Sequence, residues 1–364
     1  MVFKTMRLGD VLELRRGFDL PKSKREKGCV PVYSSSGISG YHSVSAVDGP
    51  CLVTGRYGTI GQVFYSEKPC WPLNTSLYAT EFKGNNSRFL YYFLKTLPWE
   101  SYATASAVPG INRNHVNAIP VCLPDLECQV GIASLLGALD DKIALNNQLN
   151  GYLEELADGM FRRHFGGLTD NATLADFANV TMGQSPAGSS YNEAGIGTIF
   201  YQGRAEFGWR YPTQRLSTTE PKRMAKAGDV LMSVRAPVGD LNLAYEDSCI
   251  GRGLAAIHCD YPSYGLYLMR SLHKKLDAYN GEGTVFGSIN GKALNGLPIA
   301  LPNNAAIRAF EKEAAPIDTQ IRNNEVESRV LVTLRDTLLP KLMSGEIDVS
   351  KVDLTQLNSH LDDC

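Results

Sequence analysis

The sequence predicts an α+β protein made of two similar halves, each a globular domain followed by a long helix. Three observations predict this class. A segment near residue 111 recurs near residue 289, short strand-like runs fill the stretch before each helix, and each helix carries a 4-3 apolar stripe. Because the halves share one frame, we expect a pseudo-two-fold internal repeat whose two long helices pack as an antiparallel coiled coil.

The repeat is clearest before each helix. Residues 111–124 (INRNHVNAIPVCLP) match residues 289–302 (INGKALNGLPIALP) at an offset of 178, with Ile, Asn, Asn, Pro, Leu and Pro in register. Upstream, Leu52–Arg56 matches Leu231–Arg235 at an offset of 179, which pairs Arg56 with Arg235. The chain is therefore two copies of one unit.

The start of each copy matches at a smaller offset. Gly17 corresponds to Gly183 at an offset of 166, so the second copy carries about 13 more residues before its matching arginine. One scaffold with two different loop lengths is typical of two different recognition surfaces.

The elements follow in order along the chain. The first globule is rich in Gly, Tyr and Val with short apolar runs such as Val30–Tyr33, which predict strands between turns. The Gly166-Gly167 pair ends the first long helix and begins a linker. The predicted segments are a globule at 1–124, a central helix at 125–165, a linker at 166–171, a second globule at 172–302, a distal helix at 303–344 and a tail at 345–364.

The two long helices share one apolar stripe. Asn146 and Asn324 fall at its midpoint in the first and second helix. An antiparallel pair would bring these amides together and fix the register. The alternative is two separate amphipathic helices, each lying on its own globule. The stripe comprises residues 132, 136, 139, 143, 146, 150, 153, 156 and 160, and residues 310, 314, 317, 321, 324, 328, 331, 334 and 338.

Composition excludes several classes of protein. The chain has 364 residues, of which 43% are hydrophobic and 20% charged, so it is not disordered. It has no apolar run of about 18 residues and no apolar core at its N-terminus, so we expect no membrane contact. The eight cysteines form no C-x-x-C pair, which favours reduced thiols in a cytoplasmic protein.

Motifs for covalent chemistry are absent from the sequence. There is no G-x-x-x-x-G-K-S/T phosphate loop, no G-x-S-x-G elbow and no His or Cys spacing for a metal site. We therefore expect a protein that is not an enzyme and that holds no catalytic residue, metal or cofactor.

Charge is distributed unevenly. Residues 1–124 carry 14 basic and 8 acidic groups, whereas residues 125–165 carry 3 and 7. A local basic face is what a phosphate-binding surface needs, although a solvated surface with chance fluctuation remains the alternative. Arg and Asn side chains can also contact guanine and adenine edges. The DNA-binding candidates are Lys22, Lys24, Arg25, Arg56, Tyr57, Asn112, Arg113, Arg204, Arg210, Arg235, Arg252 and Lys292.

The order of globule, helix, globule, helix resembles the specificity subunit of type I restriction–modification systems. The resemblance is carried by Arg7–Val11, Ile111-Asn112, Leu123-Pro124, Gly228–Arg235 and Leu339–Ile347, and covers about residues 5–350. It implies that the globules are target recognition domains and the helices are spacers.

The same resemblance implies the partners. They are double-stranded DNA, two methyltransferase subunits that use S-adenosylmethionine, and a restriction and translocase subunit. The expected function is to recognise a bipartite, asymmetric DNA target without chemistry in this chain. The alternatives are a stand-alone DNA-binding regulator and a coiled-coil protein-binding scaffold.

Overall fold

In a computed structural model, the chain forms two compact units. Residues 3–102, 110–281 and 287–352 are described; the last part of the predicted tail, 353–364, lies outside the described residues. Unit 1 comprises residues 1–145 and 326–364, and unit 2 comprises residues 146–325. Both units are therefore built from one globule and part of each long helix, whereas the sequence analysis divided the chain at the helix ends.

Unit 1 contains a four-stranded sheet in the order β2-β8-β5-β6, a three-stranded sheet in the order β4-β3-β7, and the pair β1-β9. Its strands are β1 Phe3–Arg7, β2 Arg15–Arg16, β3 Val30–Ser34, β4 Gly37–His42, β5 Cys51–Gly55, β6 Val63–Ser66, β7 Trp71–Pro72, β8 Ser76–Ala79 and β9 Pro120–Pro124. Its short helices are α1 Leu8–Val11, α2 Ser87–Lys95 and α3 Arg113–Asn117.

Helix α2 closes the core of unit 1. Asn86 precedes it and accepts a hydrogen bond from the backbone N–H of Phe89 at 2.9 Å, which caps the helix. Phe89 and Leu90 are fully buried in the same apolar cluster as Leu52 of strand β5 and Leu136 of the long helix α4, Leu126–Phe165. The globule and the first part of α4 thus share one core.

Unit 2 contains a four-stranded sheet in the order β11-β19-β16-β17, a five-stranded sheet in the order β12-β14-β13-β18-β15, and the pair β10-β20. Its strands are β10 Ala172–Thr173, β11 Asn179–Met182, β12 Tyr191–Asn192, β13 Thr198–Tyr201, β14 Leu216–Thr218, β15 Met224–Ala225, β16 Val230–Ser233, β17 Leu241–Leu243, β18 Ser248–Ile250, β19 Leu254–His258 and β20 Pro298–Ile299. Its helices are α5 Pro262–Ser271, α6 His273–Asp277 and α7 Gly291–Asn295, followed by the long helix α8, Asn304–Ser344.

The strand ladders correct the alignment of the two copies. Leu52 pairs with Ala79 in unit 1, and Val230 pairs with Ile257 in unit 2, so both strands match at an offset of 178. The expected offset of 179 was wrong by one residue, a slip that would turn every side chain to the other face of the sheet. Since Gly17 still matches at 166, the second copy carries 12 additional residues before this strand rather than 13.

The parts of α4 and α8 within each unit run antiparallel. In unit 1, Arg335 Nη1 lies 2.6 Å from Asp140 Oδ1, and Lys142 Nζ lies 3.3 Å from Glu327 Oε2. The partner number falls as the α4 number rises, as an antiparallel pair requires. The predicted α+β class and internal repeat are confirmed.

One position of the predicted stripe is wrong in each helix. Leu156 and Leu334 are 54% and 44% exposed, whereas Ala157 is buried and Arg335 half-buried beside them. The predicted stripe took two successive steps of three residues, through 150, 153 and 156 in α4 and through 328, 331 and 334 in α8. A heptad seam alternates steps of four and three, which places residue 157 after 153 and residue 335 after 331, and the structure turns these positions inward.

The midpoint asparagines lie in unit 2, and both are buried. Asn146 donates its side-chain amide to the backbone carbonyl of Asn324 at 3.4 Å. The amide of Asn324 donates to Asn150 Oδ1 at 2.7 Å. The amide of Asn324 thus reaches Asn150 across the helix pair, one turn along α4 from the position that was predicted, while its Oδ1 accepts from Gln320 on its own helix at 2.8 Å.

Candidate nucleic-acid interface

A cationic cleft of about 500 Å³ lies at the end of strand β5 in unit 1. Arg16, Arg56 and Arg113 line it together with Tyr57 and Asn112. Among the described residues that line the cleft there is no carboxylate, so its electrostatic potential favours an anionic ligand. Four sequence-predicted candidates thus meet in one place.

The backbone around the cleft is held by the strand ends. The Arg56 N–H donates to the carbonyl of Thr75 at 2.9 Å, and its own carbonyl accepts from Ile111 N–H at 2.9 Å. Tyr57 forms an isolated β-bridge with Gly110. A Cβ atom at Gly110 would overlap the Tyr57 ring, so glycine is needed for this close approach.

Arg56 and Tyr57 form a cation–π pair. The Arg56 guanidinium carbon lies 4.6 Å from the centre of the Tyr57 ring, and its Nη2 donates to the Tyr57 hydroxyl at 3.4 Å. A cation over an aromatic face is attracted to the ring, which restricts the side chain without neutralising it. The Arg56 side chain is therefore oriented before any ligand binds. The Tyr57 side chain remains exposed beside it.

Asn112 has a structural task that the sequence analysis did not assign. Its Oδ1 accepts a hydrogen bond from the backbone N–H of Asn114 at 3.0 Å and so caps helix α3. The matching Asn290 caps α7 by accepting from Ala293 N–H at 2.9 Å. One lone pair of this oxygen is therefore engaged in the cap, while its second lone pair and the amide N–H groups can still make hydrogen bonds.

The corresponding place in unit 2 is also cationic, but with different residues. Arg235 forms an isolated bridge with Ser288 and lines a recess of about 440 Å³. Lys292, which is exposed, follows on α7. Because the offset is 178, Arg235 corresponds to Tyr57 and Val234 corresponds to Arg56. The predicted equivalence of Arg56 and Arg235 was therefore wrong.

Comparison with known proteins gives the family. Residues 2–155 match the family described as the type I restriction modification DNA specificity domain. The chain is 31% identical over 290 residues to the putative type I restriction enzyme MjaX specificity subunit of Methanocaldococcus jannaschii, covering 72% of this chain and 68% of that protein. The chain belongs to the type I restriction specificity subunit family. DNA recognition is the role that this family implies.

Two further similarities extend over most of the subunit. The type I restriction enzyme MjaIX specificity subunit of the same organism is 22% identical over 347 residues, covering 84% of this chain and 79% of that one. The crystal structure of the type I restriction–modification system S subunit from M. genitalium superposes with a TM-score of 0.65 at 16% identity, covering 94% of this chain and 96% of that one. The latter likeness shows the shared fold.

One predicted DNA-binding residue of the subunit is buried. The side chain of Arg210 is 2% exposed, forms ion pairs with Glu154 at 3.3 Å and with Asp318, and donates to the Tyr267 hydroxyl at 3.4 Å. Burial disfavours the charged form of this guanidinium, whereas the neighbouring Asp318 and Tyr267 favour it. Because the favourable interactions prevail, the pKa of Arg210 lies above its ordinary value. Arg210 therefore joins the globule of unit 2 to both long helices and is not available to DNA.

Unit 1 contains a similar polar cluster that the sequence analysis missed. The Tyr92 hydroxyl donates to Asp140 Oδ2 at 2.6 Å, and Arg335 donates to Asp140 Oδ1 at 2.6 Å. Burial, followed by this hydrogen bond, raises the pKa of Tyr92. Asp140 and Asp318 match at the offset of 178, and each accepts a hydrogen bond from a tyrosine of its globule and pairs with an arginine.

The remaining candidates differ in how free their side chains are. Arg25 donates to the Ser39 carbonyl at 2.9 Å, and Arg204 pairs with Asp240, so both are partly committed within the fold. Lys22, Lys24 and Arg252 are exposed. The Arg15-Arg16 pair is also basic, and the structure separates its two members. Successive side chains of a strand point to opposite faces, so Arg15 is turned to Glu13 at 2.8 Å while Arg16 lines the cleft.

Exposed apolar side chains mark one face of each long helix. In unit 2 these are Leu149, Tyr152 and Leu156, and in unit 1 they are Val326, Val330 and Leu334. Tyr152 and Val330, which match at the offset of 178, are 60% and 61% exposed. Contiguous exposed apolar side chains on a helix are typical of a protein-binding surface.

The described residues contain neither a membrane-spanning helix nor a metal-binding cluster. In residues 3–102, 110–281 and 287–352, no helix combines the length and the apolar composition needed to cross a membrane. Across the same ranges, no group of three or more His, Cys, Asp or Glu side chains is arranged to hold a metal ion.

Proposed function

We propose that this specificity subunit recognises a bipartite, asymmetric DNA target, with one half contacted by each unit, and docks two methyltransferase subunits and a restriction subunit. The observation that carries the proposal is the pair of cationic sites at equivalent ends of strands β5 and β16. Unit 1 places Arg16, Arg56 and Arg113 there, and unit 2 places Arg235 there, while the exposed Lys292 lies on α7. The same location with different side chains supports two different half-targets.

The cleft of unit 1 is suited to the DNA backbone and an adjacent base. An arginine guanidinium can bind two phosphate oxygens at once. Because none of the described residues that line the cleft is a carboxylate, the positive potential of the three arginines is not neutralised there. Phosphate contacts fix the position of the globule on the duplex, while base contacts select the sequence. Arg56 is held over Tyr57 at 4.6 Å, so it reaches DNA in one orientation.

The methyltransferase partners would supply the chemistry. They would bind S-adenosylmethionine and methylate adenine, while this chain positions them on the target. The apolar faces of α4 and α8 support two docking sites of one kind, because Tyr152 and Leu156 in unit 2 correspond to Val330 and Leu334 in unit 1.

The DNA part of the proposal is tested by Arg56→Ala. We expect binding to weaken by about 1–3 kcal/mol if Arg56 contacts a base, and by less, with a salt slope reduced by about one, if it contacts a phosphate. Arg15→Ala is the matched control, since Arg15 pairs with Glu13 outside the cleft. Fluorescence anisotropy at several salt concentrations measures both quantities, and equal effects of the two variants would contradict the assignment of the cleft.

The two-part target is tested by exchanging a globule. Replacing residues 1–124 with the same segment of a related subunit should change one half of the methylated motif. Base-resolved adenine methylation in a host that carries the partner subunits reports the motif. A change in both halves would contradict the proposal.

Docking is tested on the exposed faces. Tyr152→Glu and Val330→Glu should each remove one methyltransferase from the complex, and the double variant should remove both, because a buried charge at a protein interface is costly. Native mass spectrometry counts the subunits. Asn147→Glu, at an exposed polar position of α4, is the control. A subunit that binds DNA but no methyltransferase would instead be a stand-alone regulator.

A further inference from the structure

The same structural position holds an aromatic side chain in one unit and an arginine in the other. Tyr57 forms its β-bridge with Gly110, and Arg235 forms its bridge with Ser288. The residue before each bridge also makes the same hydrogen bond. The Arg56 carbonyl accepts from Ile111 N–H at 2.9 Å, and the Val234 carbonyl accepts from Ile289 N–H at 3.1 Å. The two side chains therefore leave the scaffold at equivalent points.

Arg235 combines a backbone held by hydrogen bonds with an exposed side chain. The following N–H, that of Ala236, donates to the Gly287 carbonyl at 2.9 Å, and the preceding Val234 carbonyl accepts from Ile289. The side chain itself is exposed and lines the recess, and among the described residues no carboxylate lies within ion-pair distance of it. Its five N–H donors are therefore available to a ligand.

Other arginines of unit 2 are committed within the fold. Arg204 pairs with Asp240, and Arg215 lies 2.7 Å from Glu206. Both guanidinium groups are therefore already oriented toward a carboxylate. Among the described residues no carboxylate orients Arg235 in this way.

Tyr57 presents different chemistry at the equivalent point. Its ring is covered by the Arg56 guanidinium, and its hydroxyl already accepts from Arg56 Nη2 at 3.4 Å. A single phenolic hydroxyl cannot make the pair of parallel hydrogen bonds that an arginine makes to guanine O6 and N7.

We propose that Arg235 is a specificity-determining residue that recognises a guanine, through its major-groove edge, in the half-target contacted by unit 2. Tyr57 at the equivalent position gives unit 1 no such guanine preference. This inference rests on the proposed function, because it requires that the subunit binds DNA.

The test selects bound duplexes from a library with randomised positions, using the purified full-length chain. Wild type should select a two-part motif with guanine at one position of one half. Arg235→Lys keeps the charge but loses the fork, and should reduce the preference for guanine there by about tenfold or more. All other positions of the motif should be unchanged.

The controls separate this inference from the proposed function. Arg215→Lys should leave the whole motif unchanged, and the thermal melt of Arg235→Lys should match wild type because the Arg235 side chain is exposed. If wild type selects no motif, the proposed function fails. If wild type selects a motif and Arg235→Lys leaves it unchanged, or weakens binding to all sequences equally, Arg235 does not read a base and this inference is overturned.

Discussion

Replacement of Arg210 by methionine separates a structural arginine from a DNA-contacting one. Arg210 is buried and bridges Glu154 and Asp318, which lie on the two long helices. Removing one partner of a buried ion pair typically costs about 3–5 kcal/mol, because the remaining charge is left without compensation. Methionine keeps the apolar contacts made by the aliphatic part of the arginine side chain. The variant therefore isolates the effect of losing the charge.

Two features of the ion-pair cluster around Arg210 reduce this expected loss of stability. Glu154 keeps an ion pair with Arg270 at 2.6 Å, and Asp318 keeps the hydrogen bond donated by the Tyr267 hydroxyl at 2.8 Å. The two carboxylates are also about one-seventh exposed, so water reaches them in part. We therefore expect a loss of about 2–4 kcal/mol. For a unit of this size that corresponds to a melting temperature lower by about 4–16 °C.

Thermal melts followed by circular dichroism measure this change, and DNA binding is measured by anisotropy well below the melting temperature. Arg210→Met should keep its DNA affinity there. Arg204→Met is the control, because the Arg204 side chain is 56% exposed and its ion pair is worth little. An unchanged melting temperature combined with lost DNA affinity in Arg210→Met would refute the structural assignment.

Asn324→Leu should destabilise unit 2 by about 1–3 kcal/mol, because it leaves the buried Oδ1 of Asn150 without its 2.7 Å donor; the double variant with Asn150→Leu should lose less than the sum of the two single variants. Gly183→Ala should lower the melting temperature sharply, because a Cβ there would overlap the Gly251 carbonyl oxygen. Burial raises the pKa of the Cys259 thiol to about 11. At pH 8 about one Cys259 thiol in a thousand is then ionised, so alkylation should be slow and should accelerate about tenfold for each pH unit.

Each of these predictions has a matched control. Asn323→Leu, at the adjacent exposed position, should change stability by less than about 0.5 kcal/mol. Gly188→Ala meets no atom within 4 Å and should melt close to wild type. The exposed Cys29 should be alkylated first in peptide mass maps. Simply additive losses for the asparagines, a Gly183→Ala variant as stable as wild type, or Cys259 labelled as fast as Cys29 would contradict the respective arguments.

Features that depend on local periodicity could be predicted from the sequence alone. The internal repeat, the α+β class and the two long helices follow from short-range spacing of apolar, Gly and Pro residues. The family resemblance rested on the same recurring segments, and the cleft collects Arg56, Tyr57, Asn112 and Arg113 because they adjoin the ends of recurring elements.

Features that depend on long-range packing were decided only by the tertiary structure. The sequence cannot show that Arg210 meets carboxylates from two helices, since its partners lie 56 and 108 residues away. The one-residue shift between the two copies became visible only in the hydrogen-bond ladders. Leu156 and Ala157 are both apolar, so their residue type does not decide between them, and the packing shows that Ala157 is buried and Leu156 exposed. The sequence around an arginine looks the same whether its side chain faces water or a carboxylate. Only the residues that surround it in the folded protein decide between these two environments.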